Sequence, residues 1–124
     1  VTVKVVDASA LAALAFQETK ATEILNRIDG HELHAPALLW LEMANVCLKK
    51  IRAQPALRDL LIDQHKQSLA MRVQAYDVDP TEILILAERL SLSAYDASYL
   101  WLARMLRAEL VTLDERLEKA VAKI

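Results

Sequence analysis

The sequence predicts an α/β protein built on a small parallel sheet. Short β-branched or apolar runs alternate with longer segments of helical spacing. No linker, internal repeat or low-complexity stretch interrupts that alternation. A length of 124 residues suits one domain with its own core, so 1–124 reads as a single domain.

The elements follow in order. Val3–Val6 is a β-branched run closed by Asp7 and reads as a buried strand. Ser9 is placed to cap a short helix, Ala10–Ala15. Thr19–Ile28 carries Ala21, Ile24, Leu25 and Ile28 at helical spacing, and Gly30 stands where a helix-ending glycine belongs. Glu32–Ala35 reads as the second strand. Pro36 is read as opening a long helix to about Ile51, and Pro55 another to about Val73. The first of these is apolar nearly all round and reads as a buried helix. Ala75–Val78 is a third strand. Pro80 opens a helix, Thr81–Leu90, with Ile83, Leu86, Ala87 and Leu90 on one face. Ser93 begins another, to about Ala108. Leu110–Thr112 is the last strand, and Glu115–Lys123 a terminal helix.

Composition removes several function classes. Gly30 is the only glycine, so no dinucleotide fingerprint, P-loop or G-x-S-x-G elbow can be built. One cysteine, Cys47, rules out a disulfide framework and a Cys-based zinc site. The 26% charged residues exclude a disordered chain. No apolar run approaches the ~18 residues of a membrane helix. Val5–Phe16 has the look of a leader peptide, but Asp7 interrupts it, and a cytoplasmic protein with reduced, buried Cys47 is expected. A hydrophobic content of 55% predicts either an Ala-rich helical core or an apolar surface that meets a partner.

The carboxylates carry the chemistry. Asp7 follows the first strand and Asp114 the last, and ligands of open α/β sheets bind beyond strand carboxyl ends. Asp7 also fits a simple turn, and Asp114 a helix N-cap. Glu42, Asn45 and Lys49 form one narrow polar stripe on an otherwise apolar helix. An acid on a buried helix needs a partner, whereas an exposed stripe does not. Ser93 and Asp96 fit a capping box, which also suits a carboxylate to the positive end of a helix dipole.

Together these segments resemble a known family. Val5-Val6-Asp7-Ala8-Ser9-Ala10-Leu11, Leu41-Glu42-Met43-Ala44-Asn45, Tyr95-Asp96-Ala97-Ser98-Tyr99-Leu100 and Thr112-Leu113-Asp114 resemble, in order and spacing, the four acidic motifs of PIN-domain ribonucleases. More narrowly, the chain looks like the VapC toxins of type II toxin–antitoxin pairs. The resemblance implies a three-layer α/β/α sandwich with a small central parallel sheet. It implies a metal-dependent endoribonuclease with Asp7, Glu42, Asp96 and Asp114 around Mg2+ or Mn2+, supported by Ser9, Asn45 and Thr112. It also implies a homodimer, neutralised by a cognate antitoxin.

Clustered carboxylates repel one another, and a divalent cation relieves that while selecting oxygen ligands. His31, His34 and His65 are read as surface or capping residues rather than metal ligands. Lys49, Lys50, Arg52, Arg58, Lys66 and Arg72 outnumber Asp59 and Asp63 and form a candidate phosphate-tracking patch, or an ordinary solvated hairpin. Arg104 and Arg107 are expected to flank the cleft from the Asp96 helix. Trp40, Trp101, Tyr95 and Tyr99 are read as core or interface. The rivals are a receiver-like magnesium-binding signalling domain, a phosphatase of the haloacid dehalogenase type and a pure binding module. Receivers usually carry paired acids after the first strand and a Lys-Pro near the last, such phosphatases Asp-x-Asp; neither pattern is present.

Overall fold

A computed structural model describes residues 2–123. Four parallel strands, β1 (Val3–Val6), β2 (Glu32–Pro36), β3 (Val73–Tyr76) and β4 (Glu109–Val111), form one sheet in the order β3-β2-β1-β4. Around it lie α1 (Ala8–Ala15), α2 (Ala21–Ile28), α3 (Leu39–Ala53), α4 (Arg58–Ser68), α5 (Pro80–Leu90), α6 (Ala94–Leu106) and α7 (Glu115–Val121).

Alternation along the strands gives the sheet two apolar faces. Val5, Ala35 and Leu110 join one core with Leu39 and Met43 of α3 and Tyr99, Leu100 and Leu102 of α6. Val6 and Val111 join a second core with Ala10 and Ala13 of α1 and Ile24 and Ile28 of α2. Cores on both faces make the three-layer α/β/α arrangement. The chain runs outward from β1 through β2 to β3, then returns to the other side of β1 for β4. A crevice therefore lies beyond the carboxyl ends of β1 and β4, where strand order reverses.

Several expectations are corrected. Asp7, not Ser9, caps α1, so the helix begins at Ala8. Pro36 does not open a helix; it ends β2. Pairing with β1 covers Glu32 to His34 only, so Pro36 lies past it, opposite Tyr76 of β3, where its missing N–H leaves no β1 bond unmade. Pro55 opens a 3-10 turn, Pro55–Leu57, before α4. That helix stops at Ser68, which frees Val73 to start β3 two residues earlier than expected. The terminal helix ends at Val121. Helix α3 is not buried all round: Leu39, Met43 and Cys47 face the core, while Leu41 is 78% exposed. His34 is buried rather than superficial, stacked on Tyr76 and hydrogen-bonded to its hydroxyl and to Glu32. Gly30 has φ +79° just past the end of α2, as a helix-ending glycine should.

Candidate active site

Asp7 lies in the crevice, one residue past β1, and is only 5% exposed. Its Oδ1 accepts from the Ser9 hydroxyl at 2.7 Å and from the Ala10 amide at 3.0 Å. Its Oδ2 accepts from the Thr112 hydroxyl. Thr112 Oγ1 in turn accepts from the Asp114 amide at 3.0 Å, and Ser9 Oγ from the Leu113 amide at 2.9 Å. Two hydroxyls thus stitch the end of β1 to the end of β4. That is the structural content of the Ser9 and Thr112 positions.

The other acids arrive from three further elements. Glu42 sits in the first turn of α3, and its Oε1 accepts from the buried Tyr99 hydroxyl of α6. Asp96 sits in the first turn of α6, its backbone amide bonded to the Ser93 cap at 3.0 Å. Asp114 caps α7, Oδ1 accepting from the Arg116 and Leu117 amides.

Asp7, Glu42 and Asp96 each feel another crevice acid. Burial pushes the Asp7 carboxyl above its usual range against its three hydrogen bonds, and Asp114 adds to the rise. Burial also raises Glu42, with Asp96 and Asp7 contributing. Asp96 is raised by burial and by Asp114, and lowered by Arg116. Tyr99 is held far above its ordinary value by burial and by Glu42, so it remains a donor. Among the described residues no three His, Cys, Asp or Glu side chains are already drawn together to grip an ion. Asp7, Glu42 and Asp114 are each held by protein donors instead. The donor set still has the right chemistry for a hard cation: carboxylate oxygens, crowded with like charge.

Other expected residues fall elsewhere. Asn45 and Lys49 line a groove that begins at Glu42. Lys50 is engaged by Glu18 and lies over the Phe16 ring, away from the acids. Arg52 is exposed near the far end of α3. Arg104 and Arg107 do not flank the cleft. They line a groove with Glu109, the first residue of β4, at the opposite end of the sheet, because Asp96 opens α6 and they close it. Sequence reading missed two contributors. Tyr99 reads as core by its spacing, although three residues from Asp96 is one helical turn and the same face. Arg116 follows Asp114 by two residues, and its guanidinium reaches the Ser91 carbonyl at 3.2 Å.

The PIN domain family model matches residues 4–123, nearly the whole chain. The chain belongs to the PIN domain family. It is 31% identical over 123 residues to Ribonuclease VapC3 of Pyrobaculum aerophilum, covering 91% of this chain and 90% of that one. Its fold is similar to the crystal structure of PAE2754 from Pyrobaculum aerophilum, with a TM-score of 0.76 and 29% identity over 96% of this chain and 86% of that one. Membership replaces the receiver-like reading, and the crevice acids of this PIN domain stand on the four motifs that suggested the family.

Proposed function

We propose that this chain is a metal-dependent endoribonuclease and the toxin of a toxin–antitoxin pair. The observation that carries the reading is the convergence of Asp7, Glu42, Asp96 and Asp114, from four different elements, on one crevice, where Asp114 raises Asp7 and Asp96, and these two raise Glu42. The family and the relationship to Ribonuclease VapC3 support RNA as the substrate. Asp7, Asp96 and Asp114 would hold Mg2+ or Mn2+, with Glu42 beside them. The bound ion supplies Lewis acidity and a water of lowered pKa. Glu42, raised by burial and held at Oε1 by the Tyr99 hydroxyl, would orient an attacking water and take its proton. Asp7 is fixed by Ser9, Ala10 and Thr112, so its oxygens need no reorganisation when substrate arrives. The attacking oxygen bonds to phosphorus as the bond to the leaving ribose oxygen breaks.

Asp7→Asn keeps an acceptor for Ser9 and Ala10, so it is expected to fold. It should abolish Mn2+-dependent cleavage of a single-stranded RNA pool. Wild-type rates in that variant would remove Asp7 from the centre. A PIN nuclease that processes RNA without being a toxin would carry the same centre; growth arrest on induced expression, absent with Asp7→Asn, separates the two. We propose further that the chain pairs with a second copy through its α5–α6 face, where Leu84, Ile85 and Met105 are exposed beside a groove lined by Trp101. An antitoxin partner is proposed from the VapC relationship. Among the described residues no helix is long and apolar enough to cross a membrane. The free, buried thiol of Cys47 suits a reducing, cytoplasmic setting.

A further inference from the structure

A groove of about 480 Å³ runs along one face of α3, with Glu42 the one crevice acid among its lining residues. Its α3 wall is a single stripe, Leu41, Glu42, Asn45, Val46 and Lys49, with neighbours three and four apart. Tyr95, in the first turn of α6, lines the same groove. Its side chain is 65% exposed and Leu41 is 78% exposed. Each is the chain neighbour of a crevice acid, Tyr95 of Asp96 and Leu41 of Glu42. Lys49 lies roughly 10 Å beyond Glu42 along the helix axis. Lys50 is tied to Glu18, whereas Lys49 makes no ion pair among the described residues.

We propose that this groove seats the nucleotide next to the scissile phosphate, its base stacked on Tyr95 and its outer phosphate at Lys49. The proposal rests on the ribonuclease reading and names the subsite of that centre. The groove carries a crevice acid, Glu42, and two helical turns on a free cation, Lys49, which is the charge order a strand leaving the centre would meet. An exposed aromatic face suits any base. Asn45, between Glu42 and Lys49, can meet a base edge with a donor and an acceptor. A protein segment fits less well, because interface cores are depleted of charge and covering this stripe would desolvate Glu42 and Lys49.

The test uses the full chain with Mn2+ and single-stranded oligoribonucleotides that wild type cleaves. Each oligonucleotide carries an abasic residue at one position flanking the cut. Tyr95→Ala should raise KM about tenfold, the scale of base–aromatic stacking, with kcat changed far less. Tyr95→Phe, which keeps the ring, should restore wild-type KM. For wild type, one abasic position should raise KM by a similar factor, and Tyr95→Ala should be blind to that position. Lys49→Ala should lower the slope of log affinity against log salt by about one. Normal RNA kinetics in Tyr95→Ala would overturn the subsite and leave the ribonuclease reading standing. Unchanged KM together with loss of self-association in sedimentation would assign the groove to protein contact instead. A wild-type chain that neither cleaves nor binds any RNA would remove both readings.

Discussion

The Thr112 hydroxyl donates to Asp7 Oδ2 and accepts from the Asp114 amide, and the residue is 1% exposed. Thr112→Val keeps the shape and removes both bonds, leaving a buried carboxylate oxygen and an amide without a partner. A loss of about 1–3 kcal/mol is expected by urea denaturation, with Thr112→Ser close to wild type. The carboxylates set a second prediction. Asp7, Glu42 and Asp96 are raised chiefly by burial, so the folded chain binds more protons than the unfolded one between their ordinary and raised values. Their effect on stability is therefore a loss as pH rises from about 4 through that window. Glu109 runs the other way, held low by Arg27 and Lys4, and contributes stability that is lost as pH falls. Comparing wild type with Asp7→Asn cancels Glu109. In metal-free buffer the variant should melt at or above wild type at neutral pH, and the gap should close toward pH 4. Added Mn2+ should raise the wild-type melting temperature and leave the variant unmoved. A variant that melts well below wild type at neutral pH would contradict the buried-charge account. At this scale Asp7, Asp96 and Asp114 are legible because each ends a strand or opens a helix, and Glu42 because it interrupts an apolar helix. Tyr99 is not, because a buried aromatic at helical spacing is indistinguishable from core until Glu42 is seen opposite it.

Among the elements, α2 ends on a backbone that only glycine adopts freely. Gly30 has φ +79°, and a Cβ there would meet no atom within 4 Å. Gly30→Ala should therefore cost about 1 kcal/mol from backbone strain alone, read as a lowered denaturation midpoint with RNA cleavage unchanged. A much larger loss would mean that the α2–β2 turn is packed against something else. Strand positions are legible to within two residues, because β-branched runs between polar stops have few other readings. Element edges are less so. Pro36 carries the same local signal whether it opens a helix or closes a strand, and only its place beyond the β1 pairing decides. The spacing of α3 suggests more burial than the helix has, for a related reason. Periodicity counts apolar residues without saying which of them another element covers, and Leu41 is left in the groove mouth.

For the molecule as a whole, the net charge of −2 hides two regions. Outside the four crevice acids, 13 Asp and Glu face 15 Lys and Arg. The arginines expected to bring positive charge to the cleft from α6 lie at the other end of the sheet, so Lys49 is the nearest cation on the α3 stripe. Exposed apolar side chains are spread over several elements, and Leu84, Ile85 and Met105 are the ones that the proposed pairing through α5 and α6 would cover. Sedimentation at micromolar concentration should give a mass above the 13.9 kDa of one chain, and Met105→Glu should return it to that mass. A wild-type mass of one chain would rule out the pairing. The stitch between Asp7 and Thr112 spans 105 residues of sequence. On a ribosome, β1 emerges early and waits for β4, without which Asp7 has neither its hydroxyl partner nor Asp114 beside it. The crevice therefore cannot close until β4 has been made, and a nascent chain that stops short of Thr112 lacks both the hydroxyl that holds Asp7 and the acid beside it.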